Sequence, residues 1–569
     1  MARPLSTPNP AQLPRPTVTA EVPLFRPMPW KAPLRPSGLI LGGLFFLAAV
    51  QPSLIPRSGP VQGALAGLSF VAGYGIAALV AGMLGWLGLR GESWLSTGTQ
   101  RILRLAGLIP IAAALWLATA YQNSLHHALG LPPVETVRPL ILLVVAVGLA
   151  AVLILFGRLF GHVMAMAANR LLVFAPRRLA ILAAALLALL LFWSVGDRLV
   201  VRQLLRLADS IYQRIDALDE AEAPPQRADQ SGSAASLLSW DELGRQGRLR
   251  VLAAPNAAAI TAVTGRPALE PLRIFVGLRH AETPQARAEL ALAEMQRVGA
   301  LDRKVLVIAT PTGTGWVDPA GMAPVEFLAG GDIASVSVQY SYLPSWLSLF
   351  VEPEYGAETA KAVFQAVHGH WHSLPPDQRP ALYLFGLSLG ALNSDLSADN
   401  FDLVNDPYQG AVWAGPPFAS RTWPEIRDGR LAGTPSWAPR FRDGSVVRFT
   451  TQTDLTGKAT APWGRMRIVY LAYPSDPIVH FQTSMALWKP DWYDSPRAPD
   501  VSERLTWVPV VSFLQVAFDM MLATTTPVGT GHVYKAEHYL AAWQAVLAPA
   551  DWTEANQAAL IAWLAAQGL

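Results

Sequence analysis

The sequence predicts a membrane-spanning helical bundle of about five spans followed by an α/β domain on a mainly parallel sheet. Three observations carry that expectation. Apolar residues are concentrated before Val201, short β-rich runs alternate with helical ones beyond residue 250, and the pentapeptide Gly386-Leu387-Ser388-Leu389-Gly390 sits between an apolar run and a small-residue segment. With 52% hydrophobic and only 15% charged residues among 569, the chain differs from an ordinary soluble enzyme.

Five segments, at about 38–55, 61–87, 105–121, 140–156 and 179–196, approach the ~20 residues that a helix needs to cross the hydrocarbon core. Gln51 and Pro52 interrupt the end of the first. It does not read as a signal peptide, because a long Pro-rich tail precedes it and no clean small-x-small cleavage site follows.

Orientation follows from where Lys and Arg cluster in the short connections. The tail carries Arg3, Arg15, Arg26, Lys31 and Arg35 against Glu21, the connection after the second span carries Arg90, Arg101 and Arg104 against Glu92, and the one after the fourth carries Arg158, Arg170, Arg177 and Arg178 with no acid. These regions are expected to be cytoplasmic. The connections at 52–60, with Arg57, and at 122–138, with Glu135 and Arg138, are expected to face outward. Five spans then deliver the remaining chain to the far side of a bacterial inner membrane, the periplasm in a Gram-negative cell. The absence of cysteine is compatible with that compartment. No basic stripe interleaved with aromatics points to nucleic acid.

After the last span, residues 197–218 place Leu199, Leu204, Leu207, Ile211 and Ile215 at helical spacing, which predicts an amphipathic helix. Residues 220–236, rich in Ala, Pro, Gln, Ser and acid, read as the linker. The expected organisation is a Pro-rich cytoplasmic tail at 1–36, a transmembrane domain at 37–200, an amphipathic helix with linker at 201–249, and a catalytic domain at 250–569.

Within that last domain, strands are expected at 272–278, 305–309, 334–339, 381–385, 411–413, 446–450 and 467–471, and helices at 284–298, 357–371, 509–522, 535–547 and 552–566. Their alternation argues for a parallel sheet covered on both faces. Ser388 falls where a strand turns sharply into a helix. Such a turn needs small neighbours, since a Cβ at Gly386 or Gly390 would crowd the strand or the helix beside it.

On these features the chain resembles the α/β-hydrolase superfamily from about residue 250 to its end. With the spans in front, it resembles a bacterial family of membrane-anchored α/β-hydrolases with an N-terminal multi-spanning region. The resemblance implies a serine nucleophile, a carboxylate and a histidine in that chain order, and no metal or organic cofactor.

Among the domain's histidines only His480, His532 and His538 follow Ser388. His532 is the favoured base, because Val528-Gly529-Thr530-Gly531-His532 is a small-residue loop between two helical stretches; His538 belongs to the helix that follows, and His480 is a candidate pocket-lining residue. Asp476, in Pro474-Ser475-Asp476-Pro477 after the last strand, is the favoured acid, with Asp454 the alternative. An acyl-transfer site also needs backbone N–H donors for the developing oxyanion. Leu389 is expected to supply one, and Thr312, Gly313 or Thr314, in the loop after the second strand, the other. That loop lacks the closing Gly-Lys-Ser/Thr of a phosphate-binding P-loop.

His368, His370 and His372 invite a metal reading, but their spacing of two turns successive rings to different helix faces, and a solvated helix end is the favoured account. Leu343, Trp346, Leu347, Leu349 and Phe350, or Trp423, Trp437, Trp463, Trp488 and Trp492 in later insertions, are candidates for a lid or a bilayer contact. The expected function is a membrane-anchored serine hydrolase or acyltransferase acting on an acyl ester of a lipid or envelope component. The alternative is a membrane scaffold or binding protein that keeps the fold without the chemistry. The expected partners are the lipid bilayer and that acyl substrate.

Overall fold

The computed structural model describes residues 29–569 except 31, 88, 90–94, 198–202, 204–209, 212, 215, 217–222, 345–346, 349–352 and 495. Much of the expected amphipathic helix therefore lies outside the described residues, as do Trp346, Leu349 and Phe350. The chain forms two compact units, one of Met1–Leu34 with Ala150–Leu204 and one of Arg35–Leu149 with Leu205–Leu569.

The apolar N-terminal region folds into α1 (Pro36–Val50), α2 (Gly59–Trp86), α3 (Thr97–Ala106), α4 (Ile109–Ala128), α5 (Pro139–Leu171) and α6 (Arg177–Val195). Among the described residues four helical stretches are long and apolar enough to cross a membrane: Gly59–Gly85, Thr97–Ala128, Pro139–Leu171 and Arg178–Val195. The first expected span becomes the shorter α1 of 15 residues, because the chain leaves the helix at Gln51 ahead of Pro52. Small residues let these helices touch backbone to backbone. A Cβ on Gly67 of α2 would stand 2.6 Å from the Ala146 carbonyl oxygen of α5, and one on Gly73 would stand 2.7 Å from that of Leu41 in α1. In the smaller unit, the Arg158 guanidinium donates to the Trp30 and Ala32 carbonyls, and the Trp30 ring stacks on His162.

The larger unit continues through α7 (Gly244–Val251) and α8 (Ala257–Thr264) into the alternating region: β1 (Leu272–Val276), α9 (Pro284–Arg297), β2 (Val305–Thr310), α10 (Pro319–Leu328), β3 (Ile333–Val338), α11 (Pro353–Ser373), β4 (Ala381–Leu387), α12 (Leu389–Asp395), β5 (Gly410–Ala414), β6 (Val447–Thr450), β7 (Arg467–Leu471), α13 (Val511–Leu522), α14 (Ala536–Leu547) and α15 (Glu554–Ala566). The seven strands form one sheet in the order β1-β3-β2-β4-β5-β7-β6, and every pairing is parallel. All seven expected strands are present. Parallel strands buried on both faces read as continuous apolar runs, which is why they stood out.

Two apolar layers sandwich the sheet. Phe275, Val336, Phe364, Leu384 and Trp413 lie in one, and Phe327, Phe385, Tyr539, Trp543 and Leu564 in the other. The core begins before α7, since Leu238, Trp240 and Leu243 are buried in the first layer. The end of the expected linker is packed as well, with Ser231 and Ser233 buried and the Ser236 hydroxyl on the Glu294 carboxylate at 2.6 Å. Trp423 is fully buried among Phe449 and Tyr470, so it belongs to the core and not to a lid.

Candidate active site

From β2 the chain turns to β3 on one side, whereas β4 adds on the other side of β2. The loops after β2 and β4 therefore part company at this point, and in an open parallel sheet such a switch point leaves a crevice outside the carboxyl ends of the strands. Ser388 stands there. It follows β4 directly, opens α12, and adopts φ 56° and ψ −125°, a region that costs a non-glycine residue energy and is held only by its surroundings. Those surroundings leave no room for side chains: a Cβ on Gly386 would lie 2.3 Å from the Gly390 carbonyl carbon, and one on Gly390 would lie 2.3 Å from the Thr310 carbonyl oxygen.

The same close approach seats the first turn of α12 on the end of β2. Leu389, as the first residue of the helix, has an N–H with no intrahelical acceptor. The β2 loop is closed on itself. The Thr312 N–H donates to the Trp316 carbonyl at 2.9 Å and the Gly315 N–H to the Thr312 carbonyl at 2.9 Å, while the Gln339 side-chain amide donates to the Thr314 carbonyl at 3.1 Å. Of the three expected donors, Thr312 already spends its N–H inside the loop.

His532 follows Gly531 in a tight turn whose Thr530 and Val533 form an isolated bridge. Its Nδ1 lies 2.7 Å from Asp476 Oδ2, and both side chains are essentially buried. A carboxylate only accepts hydrogen bonds, so Nδ1 carries the proton and Nε2 of the neutral ring is left with its lone pair. Nε2 is buried and has no hydrogen-bond partner among the described residues. The ring rests against the residue after β5, where a Cβ on Gly415 would stand 2.5 Å from His532 Cε1. Ser388 reaches the same place, because its N–H donates to the Ala414 carbonyl at 2.9 Å.

Asp476 ends the turn after β7 and caps the one-turn helix Pro477–His480, with Oδ1 accepting the Ile478 N–H at 2.9 Å. Its Oδ2 also accepts the Tyr534 hydroxyl at 2.7 Å. Asp454 instead caps its own turn, accepting from the Thr456 N–H and hydroxyl. It follows β6 at the sheet edge, one strand beyond β7.

Two family models match this chain: one described as "Alpha/beta-hydrolase family" covers residues 272–560, and one described as "Alpha/beta-hydrolase family N-terminus" covers residues 50–255. The chain belongs to the alpha/beta-hydrolase family. No match was found among curated proteins or among solved structures.

Around the Asp476–His532 pair, this alpha/beta-hydrolase builds a shell that spacing alone could not reveal. The Ser475 hydroxyl accepts the Gly531 N–H at 3.0 Å, and Asp500, buried in the insertion after β7, accepts the Ser475 N–H at 3.1 Å and the Gln452 amide at 2.7 Å. Asp318, the N-cap of α10, accepts the Tyr539 hydroxyl at 2.9 Å, and burial pushes its carboxyl up to about 6. The one signal in the sequence for Asp318 is its place before Pro319 at a helix start.

The other histidines have partners or burial of their own. His480 is buried against Trp492, and desolvation pushes its pKa down to about 4. His538 lies on α14 beside the Tyr473 hydroxyl, and burial likewise lowers it to about 4. His368 is buried, bonded through Nε2 to the Asp406 carbonyl at 2.9 Å and stacked on Phe364, so the solvated helix end holds for the exposed His372 and not for it. The His372 ring meets the Asp406 carboxylate, which Arg379 also grips.

Proposed function

We propose that this alpha/beta-hydrolase is a membrane-anchored serine hydrolase that cleaves or transfers an acyl ester of a lipid or cell-envelope component. The observation that carries the reading is the buried His532–Asp476 pair, whose second ring nitrogen has no hydrogen-bond partner among the described residues and whose ring lies at the end of β5, where the backbone of the strained Ser388 is also bonded. Ser388 Oγ attacks the ester carbonyl carbon while His532 Nε2 takes its proton. Asp476 keeps the ring in the Nδ1–H tautomer and stabilises the imidazolium. The oxyanion is received by the Leu389 N–H together with an N–H from the 312–314 loop after β2. Collapse returns the proton from Nε2 to the departing alkoxide and leaves an acyl-serine. Water or an acceptor alcohol, deprotonated by the same nitrogen, then attacks the acyl carbon, and Nε2 returns that proton to Ser388 Oγ as the acyl–serine bond breaks.

A lipid or envelope ester is favoured by the setting. The turn between α1 and α2 buries Leu54 and Ile55 in an apolar cluster with Phe481, Met485 and Val516, so the segments flanking the pair pack directly on the apolar helical region. The Lys and Arg distribution supports a cytoplasmic N-terminus and an extracytoplasmic catalytic domain.

A fluorophosphonate probe tests the reading in the full-length protein. Wild type is expected to label and Ser388→Ala to lose labelling while remaining folded. Equal labelling of the two proteins overturns the assignment, and a folded wild type that never labels favours the scaffold alternative.

A further inference from the structure

The turn between α1 and α2 reaches far along the chain. Arg57, at its end, is fully buried: its guanidinium lies 2.7 Å from Asp519 of α13, donates to the Gln62 side chain at 3.1 Å and the Gln515 carbonyl at 3.1 Å, and meets the Ser53 hydroxyl. The other Asp519 oxygen accepts the Leu54 N–H at 3.1 Å. Gln515, one turn earlier on α13, donates to the Ala48 and Gln51 carbonyls at the end of α1 at 3.2 and 3.0 Å. The Arg57 guanidinium, the Leu54 N–H and the Ala48 and Gln51 carbonyls are thus answered across more than four hundred residues of sequence, and Leu54 and Ile55 fill the apolar space beside them.

What α13 leads into gives the contact its meaning. Ala523 follows the helix directly, four residues or about one turn after Asp519, and its carbonyl accepts the His532 N–H at 3.1 Å. The apolar half of the turn meets Phe481, which follows the one-turn helix capped by Asp476. Both members of the acid–base pair are attached, within a few residues, to elements that rest on the α1–α2 turn.

We propose that the α1–α2 turn is a positioning element for His532 and Asp476, acting through the Arg57–Asp519 clamp on α13. The inference rests on the serine-hydrolase reading above. It assigns a membrane-side segment a part in the chemistry, although it touches no substrate. A displacement of the base by even about 1 Å can cost about a hundredfold in rate.

The test uses the full-length protein in lipid nanodiscs, with fluorophosphonate labelling followed over probe concentration and hydrogen exchange read at residues 523–532. Arg57→Met is expected to slow labelling at saturating probe by about tenfold or more, with half-saturation little changed, and to speed exchange in that segment. Arg57→Lys keeps the charge without the planar fork and should recover part of the rate. If Arg57→Met does not fold, Gln515→Met, which leaves the ion pair in place, should show the same pattern at smaller size. Folded variants that label at the wild-type saturating rate with unchanged exchange overturn the proposal. A change only in half-saturation does so too. Failure of the wild type itself to label would defeat the serine reading instead, and exchange at 523–532 would still report whether the turn holds the His532 loop.

Discussion

His532 Nδ1 lies 2.7 Å from Asp476 Oδ2, and solvent scarcely reaches either side chain. In so dry a setting the identity of the acceptor fixes the tautomer of the ring. Asp476→Asn is therefore expected to preserve the fold yet lower the fluorophosphonate labelling rate by about 10³-fold or more, since the amide can donate to Nδ1 and force the proton onto Nε2. Asp454→Asn disturbs only the Thr456 turn and should label at close to the wild-type rate. The opposite ranking would move the acid to Asp454 and leave Ser388 in place.

Gly415 gives a steric test of the base. Its φ is +51°, and a Cβ there would overlap the His532 ring at 2.5 Å from Cε1. Gly415→Ala should cost about 1–2 kcal/mol of stability from the left-handed backbone and slow labelling by about a hundredfold through displacement of the ring. Thermal unfolding and labelling kinetics on one preparation would separate the two effects. Wild-type kinetics in a folded Gly415→Ala protein would contradict the placement of His532.

Acid should unfold the protein partly through its buried histidines. His480 and His538 both drop to about 4 from an ordinary 6.5, so between those values the unfolded chain binds protons that the folded one refuses. Their contribution is present above about pH 6.5 and is lost as pH falls through about 4. For the fully buried His480 the sum is about 3 kcal/mol. Asp318 runs the other way: raised to about 6 by burial, it contributes most below the ordinary carboxylate range, and that contribution is lost as pH rises through about 6. His480→Gln should flatten the fall in melting temperature between pH 6.5 and 4. An unchanged slope would show that His480 is not shielded as described.

The orientation is open to a direct experiment, because α1 is the critical element. Its 15 residues extend about 22 Å, less than the ~30 Å of a hydrocarbon core. With α1 counted as a crossing, reporters fused before Pro36 and after Leu569 should mark opposite sides of the membrane. The same side for both would mean an even number of crossings and would remove α1 from the count.

Much of the fold was legible because burial on both faces of a parallel sheet leaves little choice of residue. Runs such as Val305–Thr310 and Ala381–Leu387 are almost entirely apolar, and helices such as Ala536–Leu547 show the complementary spacing. Short helices were less visible. Both α7, with four charged or amide residues in eight, and α10, which contains Pro324, lack the pattern of an isolated helix and are held by what they pack against.

By itself the sequence determined the apolar character of the N-terminal region, the alternation that makes a parallel sheet, and the small residues that Ser388 needs on either side. These are local requirements, and they are written within a few residues of where they act. The tertiary structure decided the rest. It brought Asp476 to His532 across 56 residues while β6 took Asp454 to the sheet edge, engaged the Thr312 N–H within its own loop, and joined Arg57 to Asp519. A buried charge or hydrogen-bonding group must find its partner in space, and no periodicity or spacing along the chain records which partner that is.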